Sequence, residues 1–244
     1  MDHVPDKLRV ATWNVHRGVG GDGRFDPARI LRAIADEIAP HGPDVLVLQE
    51  ADADAPSHRG FLDLAELDAA TGLRHAHTPD LLWRAESHGF LGVVVFLHPR
   101  LNVIGRRVMD LPGHAARGAV VLDLDMGLRL VATHLSLAQW LRAVQMRTLG
   151  QYLDRSPDRP TLLVGDLNEW RPWGGLAFSR PVAGRAFTGP ARPTFPVGWP
   201  ILPLDRVLGD RPGMVTETRV LDGPGLRTAS DHRPLLAQVH LDSA

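Results

Sequence analysis

The sequence predicts an α/β domain in which two stacked β-sheets are covered by helices. Short runs of apolar and β-branched residues recur along the 244-residue chain and alternate with three amphipathic segments. Hydrophobic residues make up 44% of the chain, which is enough for a large core. No linker rich in proline, serine or charge divides the chain, and no repeat of fixed period occurs. We therefore expect one domain spanning residues 1–244.

The first elements predict a strand–helix–strand unit. Residues 8–14 alternate like a strand and end on Asn14. Asp26-Pro27 predicts a helix start, with the aspartate as cap and the proline at the first helical position. Residues 44–50 then form a buried strand that ends on Glu50. Because one helix joins the two strands, we expect them to be parallel and to place Asn14 and Glu50 side by side.

Strands and helices alternate through the rest of the chain. Two further helices are predicted over residues 61–71 and 137–153, the second with Leu141, Val144, Thr148 and Leu149 on its inner face. Apolar patterning predicts strands over residues 75–78, 89–97, 102–108, 118–124, 128–132, 161–165, 204–208, 214–221 and 235–240.

Residues 170–203 are predicted to form a long loop with at most a short helix. The segment is proline-rich, has little periodicity and contains Trp170, Trp173 and Trp199. Because loops of this length in compact domains are usually functional, we expect it to set substrate specificity. The tryptophans could stack on bases or enter a lipid surface. Packing beneath the loop is the interpretation that we favour.

Composition excludes several classes of protein. The net charge of −1 and the isoelectric point near 6.9 are unlike those of a tight, non-specific DNA binder, although 27 Lys and Arg allow a local basic rim. The absence of cysteine excludes disulfides, thiol catalysis and cysteine-ligated zinc. Residues 1–6 carry no apolar signal region and no apolar run is long enough to span a membrane, so we expect a soluble, cytoplasmic protein. We also expect it to be a monomer.

Polar side chains follow several of the predicted strands. Asp166 and Asn168 come directly after a buried strand, and an Asp-x-Asn pair in extended backbone points both side chains the same way. Each such strand end has an ordinary explanation, such as a turn cap, a solvated end or a satisfied core histidine. Together, carboxylates, amides and two histidines predict metal-assisted phosphoester chemistry. The other members of the set are Asn14, Glu50, His134, Asp205, Asp231 and His232.

The stretches that carry these residues resemble the endonuclease/exonuclease/phosphatase superfamily, in particular its short bacterial metal-dependent hydrolases. They occur in the family's order and cover nearly the whole chain. The resemblance implies the DNase I-like fold, a four-layer α/β/β/α sandwich with mixed, mostly antiparallel sheets and a site at one rim. The resembling stretches are residues 11–18, 48–50, 132–136, 164–168, 204–207 and 230–234.

The resemblance also implies where a metal and a phosphate bind. Glu50 is the principal ligand of Mg²⁺ or Mn²⁺, Asn14 lies beside it, and Asp231 lies near the metal, directly or through water. Asn14 is also expected to contact the phosphate. Arg117 matches an Arg-Gly pair of some members and implies an arginine that faces the phosphate. The alternative for this arginine is a solvated strand start.

The resemblance further implies two catalytic elements. Asp166 and Asn168 orient or deprotonate the attacking water and contact the phosphate. His232, paired with Asp205, is the second element, since an aspartate behind a histidine fixes its tautomer and raises its basicity. His134 donates to the phosphate or the leaving oxygen. Whether Asp166 or His232 is the base stays open, and no serine or cysteine nucleophile is indicated.

Two departures from the family pattern bear on the substrate. DNA-repair members often carry a tyrosine where this chain has Phe90, and nuclease members often have an acidic or amide residue where it has His16. Both departures disfavour abasic-site repair. We therefore favour a phosphodiesterase acting on a small or lipid phosphoester. The alternatives are a DNA or RNA nuclease and, in another class, an inactive binding protein on the same fold.

Overall fold

A computed structural model of the protein, which describes residues 7–241, contains two packed β-sheets. The expectation about a signal region falls on residues 1–6, outside the described range. In chain order the strands are β1 (Lys7–Asn14), β2 (Val45–Gln49), β3 (Arg74–His75), β4 (Val94–Leu97), β5 (Val103–Leu111), β6 (Arg117–Leu124), β7 (Arg129–His134), β8 (Thr161–Asp166), β9 (Asp205–Gly209), β10 (Val215–Val220) and β11 (Leu235–His240). The helices are α1 (Pro27–Ala33), α2 (Leu64–Thr71), α3 (Gln139–Asp154), α4 (Arg180–Ala183) and α5 (Pro224–Ala229).

The first sheet has the strand order β10-β11-β1-β2-β4-β3. β1 runs parallel to β2, with Asn14 opposite Gln49, and antiparallel to β11. The crossover between β1 and β2 contains α1, whose first turn is capped by Asp26 accepting from the Arg29 N–H at 3.1 Å. A π-helical turn and a 3₁₀ turn extend α1 to His41, and Gly42 ends it in the left-handed conformation. The predicted strand–helix–strand unit is confirmed.

The second sheet has the order β5-β6-β7-β8-β9. β7 and β8 are parallel and joined through α3, whereas the other pairs are antiparallel. The register places His134 opposite Asp166, and Asp166 opposite Asp205, so three predicted site residues lie in one row across the sheet. Gly165 permits this row, because a Cβ on it would lie 1.9 Å from the carbonyl oxygen of Thr133.

Three apolar layers hold the sandwich together. Alternate residues of the strands point to opposite faces, so Val45 and Val47 of β2 join the layer between the sheets, whereas Leu46 and Leu48 join the layer under α1 and α2. A third layer lies under α3 and the loop after β8. This is the four-layer α/β/β/α sandwich of the DNase I-like fold, as predicted.

The inner face predicted for α3 is wrong at Val144, which is 43% exposed. The helix instead buries Arg142 and Gln145 together with Met146, Leu149 and Leu153. These two polar residues tolerate burial because they hydrogen-bond the preceding turn. Arg142 donates to the carbonyls of Ser136 and Leu137, and Gln145 accepts the Ser136 N–H at 2.9 Å. The apolar face is therefore rotated from the one that hydrophobic spacing predicts.

Three other elements are shorter than predicted. α2 begins at Leu64 because the Asp63 carboxylate accepts the N–H groups of Ala65 and Glu66, both at 3.0 Å. β3 covers Arg74–His75 alone. Residues 89–93 form a turn closed by backbone hydrogen bonds between Phe90 and Val93, so β4 begins only at Val94.

The loop from residue 170 to 203 is irregular and contains the short helix α4, as predicted. Its tryptophans do not pack beneath it: Trp170, Trp173 and Trp199 are 52%, 74% and 80% exposed. The space under the loop is filled instead by smaller apolar side chains, including Phe178 and Phe187. Within the described part of the chain, no helix combines the length and apolarity needed to cross a membrane.

Candidate active site

A cavity of about 400 Å³ opens at one edge of the sandwich, where strands of both sheets end. The first sheet supplies the ends of β1 and β2 and the turn before β11, and the second supplies the ends of β7 and β8 and the start of β6. Asp205 lies behind this wall, fully buried. The other predicted site residues line the cavity: Asn14, Glu50, Arg117, His134, Asp166, Asn168, Asp231 and His232.

His232 and Asp205 form the expected pair. His232 Nδ1 donates to Asp205 Oδ2 at 2.8 Å, and the hydroxyl of Thr194 donates to the same oxygen at 2.6 Å. Burial alone would lower the pKa of His232, but the charge and hydrogen bond of Asp205, with the charges of Asp166 and Asp231, raise it to about 10. The Nε2 atom of His232 lies 3.8 Å from Asp166 Oδ2, so the imidazole faces the Asp166 carboxylate.

Hydrogen bonds orient Asp166 from two sides. The Asn168 N–H donates to Oδ1, and the side-chain amide of Asn14 donates to Oδ2, both at 3.0 Å. Asn168 also donates to the carbonyl of Leu135 at 3.0 Å and lies 3.2 Å from His134 Nε2. Burial lowers the pKa of His134 to about 3 despite the nearby Asp166 charge, so this imidazole is neutral at pH 7.

Glu50 also lines the cavity, beside an arginine that sequence reasoning did not assign to the site. Arg17 lies 3.5 Å from Glu50 Oε2 and 3.2 Å from Asp54 Oδ1. His16, Arg17 and Glu50 all have left-handed backbone conformations, with φ of 45°, 50° and 56°. Such conformations in non-glycine residues cost on the order of 1–3 kcal/mol each and cluster at functional sites. The one sequence signal for Arg17 is its place in the glycine-rich loop after Asn14.

Arg117 faces the cavity instead of being a solvated strand start. Its Nε atom is buried and has no hydrogen-bond partner within residues 7–241. Burial lowers its pKa, against the opposing pull of Glu50 and Asp166. A buried guanidinium donor without a partner is suited to an anionic ligand such as a phosphate.

Three further residues that sequence reasoning missed hold the site together. The hydroxyl of Ser230 donates to the carbonyl of Asn14 at 2.6 Å and accepts the N–H of His232 at 3.1 Å. Trp13 Nε1 donates to the carbonyl of His232 at 3.0 Å. Thr194, which donates to Asp205 as described above, is the third of these residues. A single serine or threonine in an irregular segment gives no periodic signal, so only the tertiary structure reveals these contacts.

Two groups of side chains could hold a metal ion. Asp166, Asp205 and His232 place ligand atoms within 4.8 Å of one another. However, Asp205 holds His232 through Nδ1 and keeps it protonated, with a pKa raised to about 10, whereas a histidine binds a metal only as a neutral imidazole. This group is therefore poorly suited to hold a metal ion.

The second group, Glu50 and Asp231, fits a hard cation better. The two nearest basic groups, the Arg17 guanidinium at 3.5 Å and the neutral His134 imidazole at 3.9 Å, lie beyond good hydrogen-bond length from the Glu50 carboxylate. Asp231 Oδ1 is buried without a hydrogen-bond partner in the described chain. Carboxylate oxygens left unsatisfied beside one cavity are the donors that Mg²⁺ and Mn²⁺ prefer.

The fold and this set of side chains agree with the comparison with known protein families. The model of the Endonuclease/Exonuclease/phosphatase family matches residues 11–232. The chain belongs to this family. The match begins in β1 just before Asn14 and ends at His232, so all the site residues predicted above fall within it.

Members of the endonuclease/exonuclease/phosphatase family similar to this chain have varied names. Uncharacterized protein YbhP of Escherichia coli (strain K12) is 27% identical over 256 residues, covering 96% of each chain. The Bacteroides thetaiotaomicron mannosyl-6-phosphatase Bt3783 is 16% identical with a TM-score of 0.69, covering 94% of this chain and 98% of its own. Danio rerio TDP2, solved with a single-strand DNA product, is 17% identical with a TM-score of 0.67, covering 97% and 100%. These two structures show the shared fold.

Proposed function

We propose that the protein is a divalent-metal-dependent phosphoester hydrolase, most consistent with a phosphodiesterase that uses in-line attack of water. The observation that carries the proposal is the arrangement around Asp166. The His232–Asp205 pair lies on one side of this carboxylate, and Arg117, Glu50 and the free oxygen of Asp231 line the same cavity. A buried acid–base pair suits hydrolysis of a phosphoester when an arginine that can bind the phosphate and carboxylates that can bind a metal ion lie beside it.

Each protein group has a distinct task in this proposal. Asp166, held by Asn14 and Asn168, orients the attacking water and accepts its proton. His232, kept protonated by Asp205, donates from Nε2 to the charge that develops on the phosphoryl group. Arg117 and neutral His134 bind the non-bridging oxygens. Mg²⁺ or Mn²⁺ held by Glu50 and Asp231, with Asn14 beside them, would supply further positive charge to the phosphate.

The substrate that we favour is a small or lipid phosphoester. The near-neutral charge of the whole chain argues against a protein that binds nucleic acid chiefly through phosphate contacts. A nuclease is the second candidate, because Trp170 is half exposed and lines the cavity, where it could stack on a base. The third candidate, an inactive binding protein, is disfavoured because none of the expected catalytic side chains is replaced.

Hydrolysis of bis-p-nitrophenyl phosphate, p-nitrophenyl phosphate and plasmid DNA, with Mg²⁺ or Mn²⁺ and with or without EDTA, tests the proposal. We expect metal-dependent turnover of the diester, lowered on the order of 10²-fold or more by Glu50→Gln and by His232→Ala. The exposed residues Glu217 and His114 provide matched controls, and Glu217→Gln and His114→Ala should leave the rate unchanged. Activity that survives both site substitutions would mean that the site is elsewhere. Turnover of none of these substrates would favour the binding protein.

A further inference from the structure

The exposed apolar surface of the protein is concentrated in three segments. Of the ten large hydrophobic side chains that are exposed within residues 7–241, only Phe25 and Ile104 lie elsewhere. Single exposed apolar residues are ordinary on protein surfaces, but concentrated ones mark interaction sites. We call the other eight the apolar rim: Leu137, Trp140, Val144, Trp170, Trp173, Leu176, Trp199 and Ile201.

The apolar rim reaches the candidate active site. Leu137 and Trp170 line the cavity itself. Phe195 and Leu202 also line it, and the Phe195 ring centroid lies 4.9 Å from that of His232. Phe195 and Leu202 pair through their backbones and close a loop over residues 195–202. Trp199 and Ile201 lie in this loop, with 80% and 61% of their surfaces exposed.

The apolar rim continues along the outer face of α3. Trp140, Val144 and Arg147 have helical spacing of four and three residues, so they lie on one stripe, and each is exposed. α3 packs closely against α4, because a Cβ on Gly150 would lie 2.3 Å from the carbonyl oxygen of Ala183. α4, which begins with the exposed Arg180, therefore lies directly beside α3.

The charge of these segments is one-sided. Residues 137–153 and 170–204 contain six arginines and no aspartate or glutamate, although the whole chain has 28 acidic residues. Arg147, Arg180 and Arg192 are exposed, and none forms an ion pair with another described residue. The other three arginines, Arg142, Arg171 and Arg185, pair with carboxylates of neighbouring segments. The segments that carry the apolar rim thus combine exposed apolar side chains with three exposed arginines that lack an ion pair among the described residues, on a chain whose net charge is −1.

We propose that the apolar rim docks on the surface of an anionic lipid bilayer and presents the cavity to the lipid headgroups. Tryptophan rings favour the interface between headgroups and acyl chains, and exposed arginines are attracted to anionic lipids. Half of the apolar rim is aliphatic, and such side chains enter an acyl layer but do not stack on nucleic-acid bases. The substrate class of the site is then a membrane-lipid phosphoester, a step that rests on the proposed function.

Sedimentation of the intact protein with vesicles tests the docking without reference to catalysis. Mixed phosphatidylcholine–phosphatidylglycerol vesicles should bind it, with a blue shift of tryptophan emission, and added salt should weaken binding. Ile201→Ser and Trp199→Ser should each lower vesicle partitioning by about tenfold, because each removes a large apolar side chain from the bilayer contact. Ile104→Ser is the matched control, since Ile104 is 58% exposed on β5 outside the apolar rim, and should bind like the unaltered protein.

Several results would overturn the docking. The first is no binding to the anionic vesicles. The second is an equal loss of vesicle binding in Ile104→Ser and Ile201→Ser. The third is binding of single-stranded DNA that Ile201→Ser and Trp199→Ser abolish while their vesicle binding persists.

A catalytic comparison separates the two proposals. Glu50→Gln should bind vesicles normally, whereas Ile201→Ser should hydrolyse a soluble diester normally and lose activity on vesicle lipids. Vesicle binding without hydrolysis of any phosphoester refutes the proposed function alone. Hydrolysis of soluble diesters, without vesicle binding or lipid cleavage, refutes the docking alone.

Discussion

Replacing Thr194 with valine removes one hydroxyl from behind the catalytic pair and keeps the shape of the side chain. The hydroxyl donates to Asp205 Oδ2 at 2.6 Å and accepts the Asp205 N–H at 3.3 Å, and both residues are fully buried. Asp205 Oδ1 already lacks a partner within the described chain. In the variant, His232 Nδ1 would be the remaining side-chain donor to this buried carboxylate.

The loss of stability in Thr194→Val can be estimated from these hydrogen bonds. A hydrogen bond to a charged, buried group contributes about 1.5–3 kcal/mol, so we expect Thr194→Val to lower the free energy of unfolding by about 2 kcal/mol. For a domain of this size the melting temperature should fall by about 6 °C. Because Asp205 also holds His232, kcat on bis-p-nitrophenyl phosphate should fall by about tenfold, equivalent to ~1.4 kcal/mol.

Two companion variants decide whether the hydroxyl is responsible. Thr194→Ser keeps a hydroxyl and should restore most of the stability and of kcat. Thr188→Val is the matched control, because Thr188 lies in the same loop but is exposed. Urea denaturation and steady-state kinetics on the four proteins provide the measurements. If Thr194→Val behaves like Thr188→Val, the hydroxyl does not hold Asp205 and the assignment of Thr194 as a positioning residue is wrong.

Three other substitutions test separate parts of the structure. His77 Nε2 accepts the Val95 N–H at 3.0 Å, and burial lowers the pKa of His77 from 6.5 to about 3. The contribution of neutral His77 to the free energy of unfolding is thus fully present above pH 6.5 and is lost as the pH falls. The loss is about 2 kcal/mol between pH 7 and pH 5. Urea denaturation of His77→Gln, which keeps an acceptor that does not titrate, should show that much less pH dependence, and an unchanged slope would contradict the assignment. Arg117→Gln should lower kcat/KM by about 10²-fold without lowering the melting temperature, because the buried Nε of Arg117 has no partner among the described residues. A lower melting temperature with unchanged kcat/KM would instead indicate a structural role. Gly165→Ala should destabilise the protein by several kcal/mol, about the scale of a severe core clash. Gly21→Ala should leave stability unchanged, because a Cβ on Gly21 would meet no atom within 4 Å. Equal denaturation midpoints for the two variants would refute the close contact between Gly165 and the carbonyl of Thr133.

Patterns along the chain predicted the layers and the polar strand ends because both depend on local spacing. The parallel pairing of β1 and β2 followed from one helix lying between two buried strands. The resemblance then identified the residues that line the cavity, from Asn14 to His232. What it could not supply is the row His134–Asp166–Asp205, which depends on the register of three strands that are far apart in sequence.

The errors share a physical cause, which is hydrogen bonding that hydrophobic spacing does not register. Arg142 and Gln145 are buried because they hydrogen-bond the turn before α3, and this rotates the helix so that Val144 is exposed. Thr194 and Ser230 act through single hydroxyls in irregular segments. Trp199 was expected to pack beneath its loop, but the loop pairs through its backbone at residues 195 and 202 and leaves Trp199 in solvent.

The pairing of β1 with β11 has a consequence for synthesis of the protein. β1 can pair with β11 only after the long stretch of chain between them has been made, and His232 lies just before β11. Asn14 is held by Ser230 from the same late segment. A chain still emerging from the ribosome therefore lacks both the acid–base pair and the clamp on Asn14. The candidate site is therefore incomplete until the segment from Ser230 to the end of β11 has been made and has folded into the first sheet.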